Sequence, residues 1–194
     1  MNNLEISLKQ AFSVGEVSTL DAILDHREKR RSFQIKLGQT YPGCVIISYK
    51  CNIPGPIKNN AVITQIFNVG HTRILTTLQT VSWHMVYHKT INLPTGLDGF
   101  YVVKEAHMKE VKSAMVQLEE TDTLGRLFDI DVLTYENNAL HSQSRTALGF
   151  SPRKCLICDH EAKACGRSRK HSVSELHDTI IKYLIKERGA ESID

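Results

Sequence analysis

The stretch "GRLFDIDVLTYE", Gly125–Glu136, carries two aspartates two residues apart inside an otherwise apolar run. Side chains alternate across a strand, so Phe128, Ile130 and Val132 share one face while Leu127, Asp129, Asp131 and Leu133 share the other. Residues 126–135 thus read as a strand with an apolar face for a core and two carboxylates on the opposite face. Like charges that close, half surrounded by apolar neighbours, are costly unless a cation sits between them or they open onto water. Two readings stand at this point. The pair holds Mg²⁺ for phosphoryl-transfer chemistry, or it is two solvated aspartates on an exposed strand face or edge.

Working outward, "CVIISYK" (44–50) is a β-branched strand stopped by "NIPGPIKNN", whose prolines and glycine make a rigid loop. Ahead of it, Ser18 reads as an N-cap with Asp21 three residues on. Leu20, Ile23 and Leu24 then form an apolar stripe for a helix from about 19 to the upper thirties. In the same register Arg27 and Arg31 fall in line with Leu20 and Leu24, where the stripe leaves the core and borders a cleft. Helical patterns occupy 60–78 and 104–120, and 81–91 alternates Val81, Trp83, Met85 and Tyr87 as a half-buried strand. Residues 139–150 read as a hairpin return. The span 173–188 reads as an amphipathic helix with Val173, Leu176, Ile180 and Leu184 inward and a Ser172/Glu175 capping box. The order predicts an α+β fold, a mixed sheet flanked by helices, ending in a Cys-rich loop and an amphipathic helix. One domain over 1–194 accounts for it, with a Cys/Arg-rich subregion at 151–171.

With 194 residues and 41% hydrophobic side chains the chain can bury a core. It has no apolar run of about 18 residues for a membrane span, and "MNNLEISLKQ" lacks the order of a secretory signal. A soluble, cytosolic protein is expected, in which five cysteines, an odd count, are thiols or metal ligands rather than a disulfide framework. A net charge of +3 does not announce a nucleic-acid binder. The charge is uneven, however: residues 26–36 and 151–171 are each about +4, which suits a phosphorylated or acidic ligand or else solvated helix surfaces. No Walker loop, G-x-G-x-x-G or G-x-S-x-G occurs, which argues against common kinase, dinucleotide and hydrolase readings. His84, His88 and His107 read as ordinary strand or helix histidines.

"RKCLICDHEAKACGRSRKH" (153–171) gives C-x2-C-x6-C-x5-H. Cys155 and Cys158 are spaced like one knuckle of a zinc site that Cys165 and His171 complete as a tetrahedron, or the thiols pack under a loop. Arg153, Arg167, Arg169 and His171 are alternatively phosphate ligands, and the two readings coexist if the cysteines order the loop that presents the arginines.

Taken in order, "DHREKR" (25–30), "NIPGPIK" (52–58), "GRLFDIDV" (125–132), "SRTALGF" (144–150) and "RKCLICDHEAKACGRSRKHSVSEL" (153–176) resemble the citrate lyase holo-acyl-carrier-protein synthase family. This is the family of apo-citrate lyase phosphoribosyl-dephospho-CoA transferases, and the resemblance runs from about residue 17 to 185. It implies transfer of a 2′-(5″-phosphoribosyl)-3′-dephospho-CoA unit from its triphosphate precursor to a serine of the citrate lyase acyl-carrier (gamma) subunit, releasing pyrophosphate. A nucleotidyltransferase-like site would use Asp129 and Asp131 as Mg²⁺ ligands, one also accepting the serine proton. Arg27, Arg31, Lys58, Arg126, Arg145, Arg153, Arg167 and His171 are the matching motif positions able to neutralise the triphosphate, and Asn52 with the "PGP" turn would offer further donors. Gly125-Arg126 stands where the wider nucleotidyltransferase superfamily has a glycine-serine turn. Two competing readings are a zinc-stabilised basic module gripping an acidic protein and a related transferase for another carrier, such as that of malonate decarboxylase.

Overall fold

The computed structural model describes residues 3–81 and 83–191; Ser82, inside the strand expected over 81–91, lies outside the described residues. The described elements are α1 (Asn3–Ser13), α2 (Leu20–Thr40), β1 (Val45–Cys51), α3 (Ala61–Thr80), β2 (His84–Leu93), β3 (Gly96–Lys104), α4 (Met108–Thr121), β4 (Phe128–Glu136), β5 (Ala139–Ser142), α5 (Ala162–Ser168) and α6 (Val173–Glu191). The strands form one sheet in the order β2-β3-β1-β4-β5, and every pairing in it is antiparallel. The sheet is therefore not mixed as expected. The crossovers through α3 and α4 join strands that run the same way, but each such couple is separated by an inserted strand, so no parallel neighbours share a ladder.

Strand β3 escapes an alternation search because it is buried on both faces: Phe100, Tyr101, Val102 and Val103 are all 0% exposed. Tyr101 and Val103 join Val45, Ile47, Tyr49, Phe128, Ile130 and Val132 in the larger core, under α1, α3, α4 and α6. Phe100 and Val102 join Ile46 and Leu133 in a smaller core under Leu37 of α2. In β2 the expected alternation breaks at a bulge between Met85 and Tyr87. Trp83 and Met85 pack on the larger core, whereas Val86 and Tyr87 both pack on the smaller one. Val81 belongs to neither core and forms the C-cap of α3.

Helix α2 does not use the stripe that its sequence offers. Its N-cap is Thr19, which accepts the Ala22 N–H at 3.2 Å, not Ser18. Leu20 is 70% and Leu24 44% exposed; His26, Gln34, Leu37 and Gly38 turn inward instead. The sheet explains the choice: beneath the N-terminal half of α2 it presents Lys50, Asp98 and Asp129, so the helix meets it with polar partners. At the other end Gly38 permits close approach, since a Cβ there would lie 2.2 Å from the Tyr135 Cβ.

Leu127 does not share the aspartates' face. It sits in a 3₁₀ turn, Gly125–Leu127, and joins the larger core. The return after β4 is shorter than expected, β5 spanning only Ala139–Ser142. The capping box of α6 forms as read: Glu175 N–H donates to Ser172 Oγ at 3.2 Å, and Ser172 N–H to the Glu175 carboxylate at 2.8 Å. Ile180 and Leu184 are buried, whereas Val173 stays 43% exposed. No helix of the described residues is long and apolar enough to cross a membrane.

Candidate functional site

On the face toward α2, the registers of β3, β1 and β4 line residues up in rows. Val102, Ile46 and Leu133 make an apolar row; Phe100, Ser48 and Asp131 make the next; Lys50 makes the third, with Asp98 on one side and Asp129 on the other. The face grades from a dry end to a charged end, and Gln34 of α2 closes the boundary by donating to Ser48 Oγ at 2.9 Å.

At the charged end His26 Nε2 and Asp98 Oδ2 are 2.6 Å apart, and Arg30 reaches the other Asp98 oxygen at 3.2 Å. The Lys50 ammonium is bonded to Asp129, whose other oxygen lies 3.6 Å from Arg153. Among the described residues none hydrogen-bonds or ion-pairs with the Asp131 carboxylate. Burial pushes the Asp129 carboxyl up, but the charges of Lys50, then Arg153 and Arg30, outweigh it and hold the group below its usual range. Asp131 is raised, by burial and by the neighbouring Asp129 charge. One carboxylate is thus kept ionised while its neighbour is made the better proton acceptor.

The strand that carries them is fixed from α4. Pairing with β5 begins at Leu133, so the outer edge of β4 at Ile130 needs other partners. Glu119 accepts the Ile130 N–H at 3.0 Å and Lys112 donates to the Ile130 carbonyl at 2.6 Å. Glu119 also holds Arg153 at 2.7 Å. Burial lowers the Lys112 pKa, and the nearby carboxylates oppose that shift.

Both aspartates open on a cavity of about 420 Å³ between α2, the "NIPGPIK" loop and the β2–β3 turn. It brings together Arg27, Asn52 and Lys58, each a candidate from the sequence, with His26, Arg30, Lys50 and Asp98, which sequence reasoning missed. Lys58 donates to the Ile53 carbonyl at 2.7 Å, and burial, then Lys50, lowers its pKa. Cys51 also lines the cavity, but burial pushes its thiol up to about 12, which leaves it unsuited to act as a nucleophile.

The other candidates lie elsewhere. Arg31 is exposed and outside the cavity. Arg126 donates to the carbonyls of Lys154 and Cys155, and Arg145 pairs with Glu120. With Arg153 they tie the loop around 145–155 to the α4 end of the molecule. Arg167 is exposed in the last turn of α5.

His171 joins the cysteines. Cys155 N–H donates to the His160 carbonyl at 2.8 Å and Ala162 N–H to that of Arg153 at 2.8 Å, folding the C-x2-C turn back into α5. Cys158 Sγ lies 3.5 Å from Cys165 Sγ and 3.3 Å from His171 Nε2. The ligand atoms of Cys155, Cys158, Cys165 and His171 all fall within 4.8 Å of one another. Tetrahedral zinc with Zn–S of about 2.3 Å spaces its sulfurs by roughly 3.8 Å, so this set fits a metal such as zinc.

A family model described as apo-citrate lyase phosphoribosyl-dephospho-CoA transferase matches residues 18–187. A Streptococcus pyogenes serotype M5 protein named probable apo-citrate lyase phosphoribosyl-dephospho-CoA transferase is 39% identical over 176 residues, covering 91% of this chain and 90% of that protein. Proteins named apo-citrate lyase phosphoribosyl-dephospho-CoA transferase are similar too: one of Citrobacter koseri is 35% identical over 68% of this chain and 69% of its own length. One of Escherichia coli O1:K1 is 30% identical over 85% of this chain and 87% of its own length.

Proposed function

The chain belongs to the apo-citrate lyase phosphoribosyl-dephospho-CoA transferase family, and from that membership we propose that it moves a 2′-(5″-phosphoribosyl)-3′-dephospho-CoA unit from its triphosphate precursor to a serine of the citrate lyase acyl carrier. The reaction is a nucleotidyltransferase-type displacement in the cytosol, carried by one domain. The serine Oγ forms a bond to the α-phosphorus, the bond from that phosphorus to the β-phosphate bridging oxygen breaks, and pyrophosphate leaves.

The observation that carries the reading is the opening of Asp129 and Asp131 onto a cavity that Arg27, Arg30, Lys50 and Lys58 also line. Their cationic groups meet the triphosphate, which the aspartates alone would repel. Asp131, its carboxyl without an ion-pair partner among the described residues and raised by burial and then by the Asp129 charge, accepts the serine proton. Lys50 and Arg153 keep Asp129 anionic beside it. The two carboxylates, set two residues apart on one strand face, also fit Mg²⁺, whose other positions phosphate oxygens and water would fill; bound there it would take up charge developing on the phosphate oxygens. Zinc on Cys155, Cys158, Cys165 and His171 would be structural, ordering the loop that follows Arg153.

The test is incubation of the chain with apo carrier protein, the triphosphate precursor and Mg²⁺, followed by the intact mass of the carrier. A gain equal to the prosthetic group is expected. An unmodified carrier, with the precursor intact, overturns the reading.

A further inference from the structure

A second cavity, about 540 Å³, adjoins the first, and Asn52 belongs to the walls of both. It lies between the "NIPGPIK" loop, the Cys-rich loop, α5 and the start of α6; Pro54, Leu156, Val173 and Leu176 make its apolar wall, and Cys155, Cys165 and His171 of the metal-fitting cluster border it. The position of that wall is built in. Asn52 N–H donates to the Leu127 carbonyl at 2.8 Å, and His177 of α6 lies 3.0 Å from the Pro54 carbonyl. Gly55, at φ +87°, packs so tightly that a Cβ would stand 3.0 Å from Val173. Two motifs about a hundred residues apart in sequence are therefore pressed together around one space, which neither the aspartates nor the cationic groups of the first cavity enter.

We propose that this second cavity takes the adenosine portion of the donor. The inference rests on the transferase reading and extends it. The donor has a polyanionic end and, one ribose beyond the reacting phosphate, an adenosine whose flat uncharged base sits on its own ribose. A charged cavity opening beside an apolar one through a shared residue matches that order of groups. The Asn52 side chain is exposed, and among the described residues none hydrogen-bonds its amide. An amide offers the donor and acceptor that an adenine edge requires, while Pro54 and Leu176 supply apolar surface for the base faces. Arg169, exposed at the rim, is placed for the 5′-diphosphate that follows. The pantetheine arm then runs outward from the rim.

Gly166 supplies the test. It lines the cavity, its backbone is not left-handed, and a Cβ added there meets nothing within 4 Å, so Gly166→Phe sets a ring at the cavity wall without straining the chain. Titration of the full chain with 3′-dephospho-CoA, AMP, pantetheine and inorganic triphosphate separates the possibilities. The wild type should bind 3′-dephospho-CoA and AMP but not pantetheine. Gly166→Phe should weaken both by at least about ten-fold and leave triphosphate binding unchanged. Asn52→Ala should weaken AMP without altering the circular dichroism, which covers a Gly166 variant that fails to fold. Pantetheine binding with no AMP binding overturns the assignment, as does unchanged 3′-dephospho-CoA affinity in a folded Gly166→Phe. A wild type that transfers the group while Gly166→Phe leaves its KM unmoved keeps the transferase reading and removes this one. A wild type that binds AMP in this cavity yet never modifies the carrier removes the transferase reading alone.

Discussion

Lys50 of β1 stands directly opposite Asp129 of β4 in the antiparallel ladder, and its ammonium group is bonded to that carboxylate. Because the same lysine also faces Asp98 across the β1–β3 ladder, one positive charge separates the two acidic groups and sets the field in which Asp129 and Asp131 work. Lys50→Met removes that charge while keeping an unbranched side chain. Asp129, held low chiefly by Lys50 against the effect of its burial, should then rise. The acid limb of the kcat profile should move to higher pH, with kcat falling by roughly ten- to a hundred-fold. An unmoved acid limb would mean that Lys50 does not tune the pair.

Asp129→Asn and Asp131→Asn keep volume and remove charge. Each should cost about two or more orders of magnitude in transfer while leaving the unfolding midpoint close to wild type. The pH response separates their roles. Loss of the raised Asp131 should flatten the acid limb of residual activity, since its proton-accepting form is what neutral pH supplies. Full activity of both variants at saturating Mg²⁺ removes the two-carboxylate mechanism.

What the sequence could disclose here follows how local each signal is. The face shared by Asp129 and Asp131, the α6 capping box and the spacing of Cys155, Cys158, Cys165 and His171 are set by neighbours along the chain, and the fold keeps them. The partners of Asp98 are not local: His26 and Arg30 lie 72 and 68 residues away, and no periodicity announces them. Leu20 and Leu24 misled for a related reason. Their spacing is helical, but which face of a helix is buried depends on what the sheet offers it, and here the sheet offers charge. Strand β3 was hidden by being apolar on both faces, which erases the alternation by which a strand is recognised.

Arg30 and Arg31 are adjacent in sequence and differ in place. Arg30 lines the cavity and holds Asp98 at 3.2 Å, whereas Arg31 is exposed and outside it. Arg30→Ala should raise KM for the precursor or lower kcat by an amount worth about 1.5–3 kcal/mol, and Arg30→Lys should recover only part of it. Arg31→Ala should leave the precursor kinetics unchanged. Equal effects from the two would place the triphosphate on the outer face of α2.

Protein purified without chelator should carry about one equivalent of zinc, measured by elemental analysis. Cys158→Ser should lose it, because Cys158 lies within reach of both Cys165 and His171. Asp129→Asn should retain it, which separates the cluster from the carboxylate pair. Metal-free protein with an unchanged unfolding midpoint would leave the cysteines as packing residues.

His26 provides a pH test of the link between α2 and β3. Its imidazole is raised above the ordinary 6.5, first by the hydrogen bond with Asp98 and against the effect of burial. A group whose folded pKa is raised contributes stability that is fully present below its unfolded value and disappears as pH climbs through the folded one. The stability difference between wild type and His26→Gln should therefore be largest below about pH 6.5 and shrink as pH rises past the raised value, read as unfolding midpoints from about pH 5 to about pH 9. Asp98→Asn should abolish most of that dependence, since it removes the carboxylate responsible. Arg30 opposes the imidazolium charge, so Arg30→Met should carry the transition to still higher pH. A difference that grows with pH, or one that persists in Asp98→Asn, would show that the 2.6 Å contact between His26 and Asp98 joins a neutral ring to the strand and carries no ionic contribution to the helix–sheet junction.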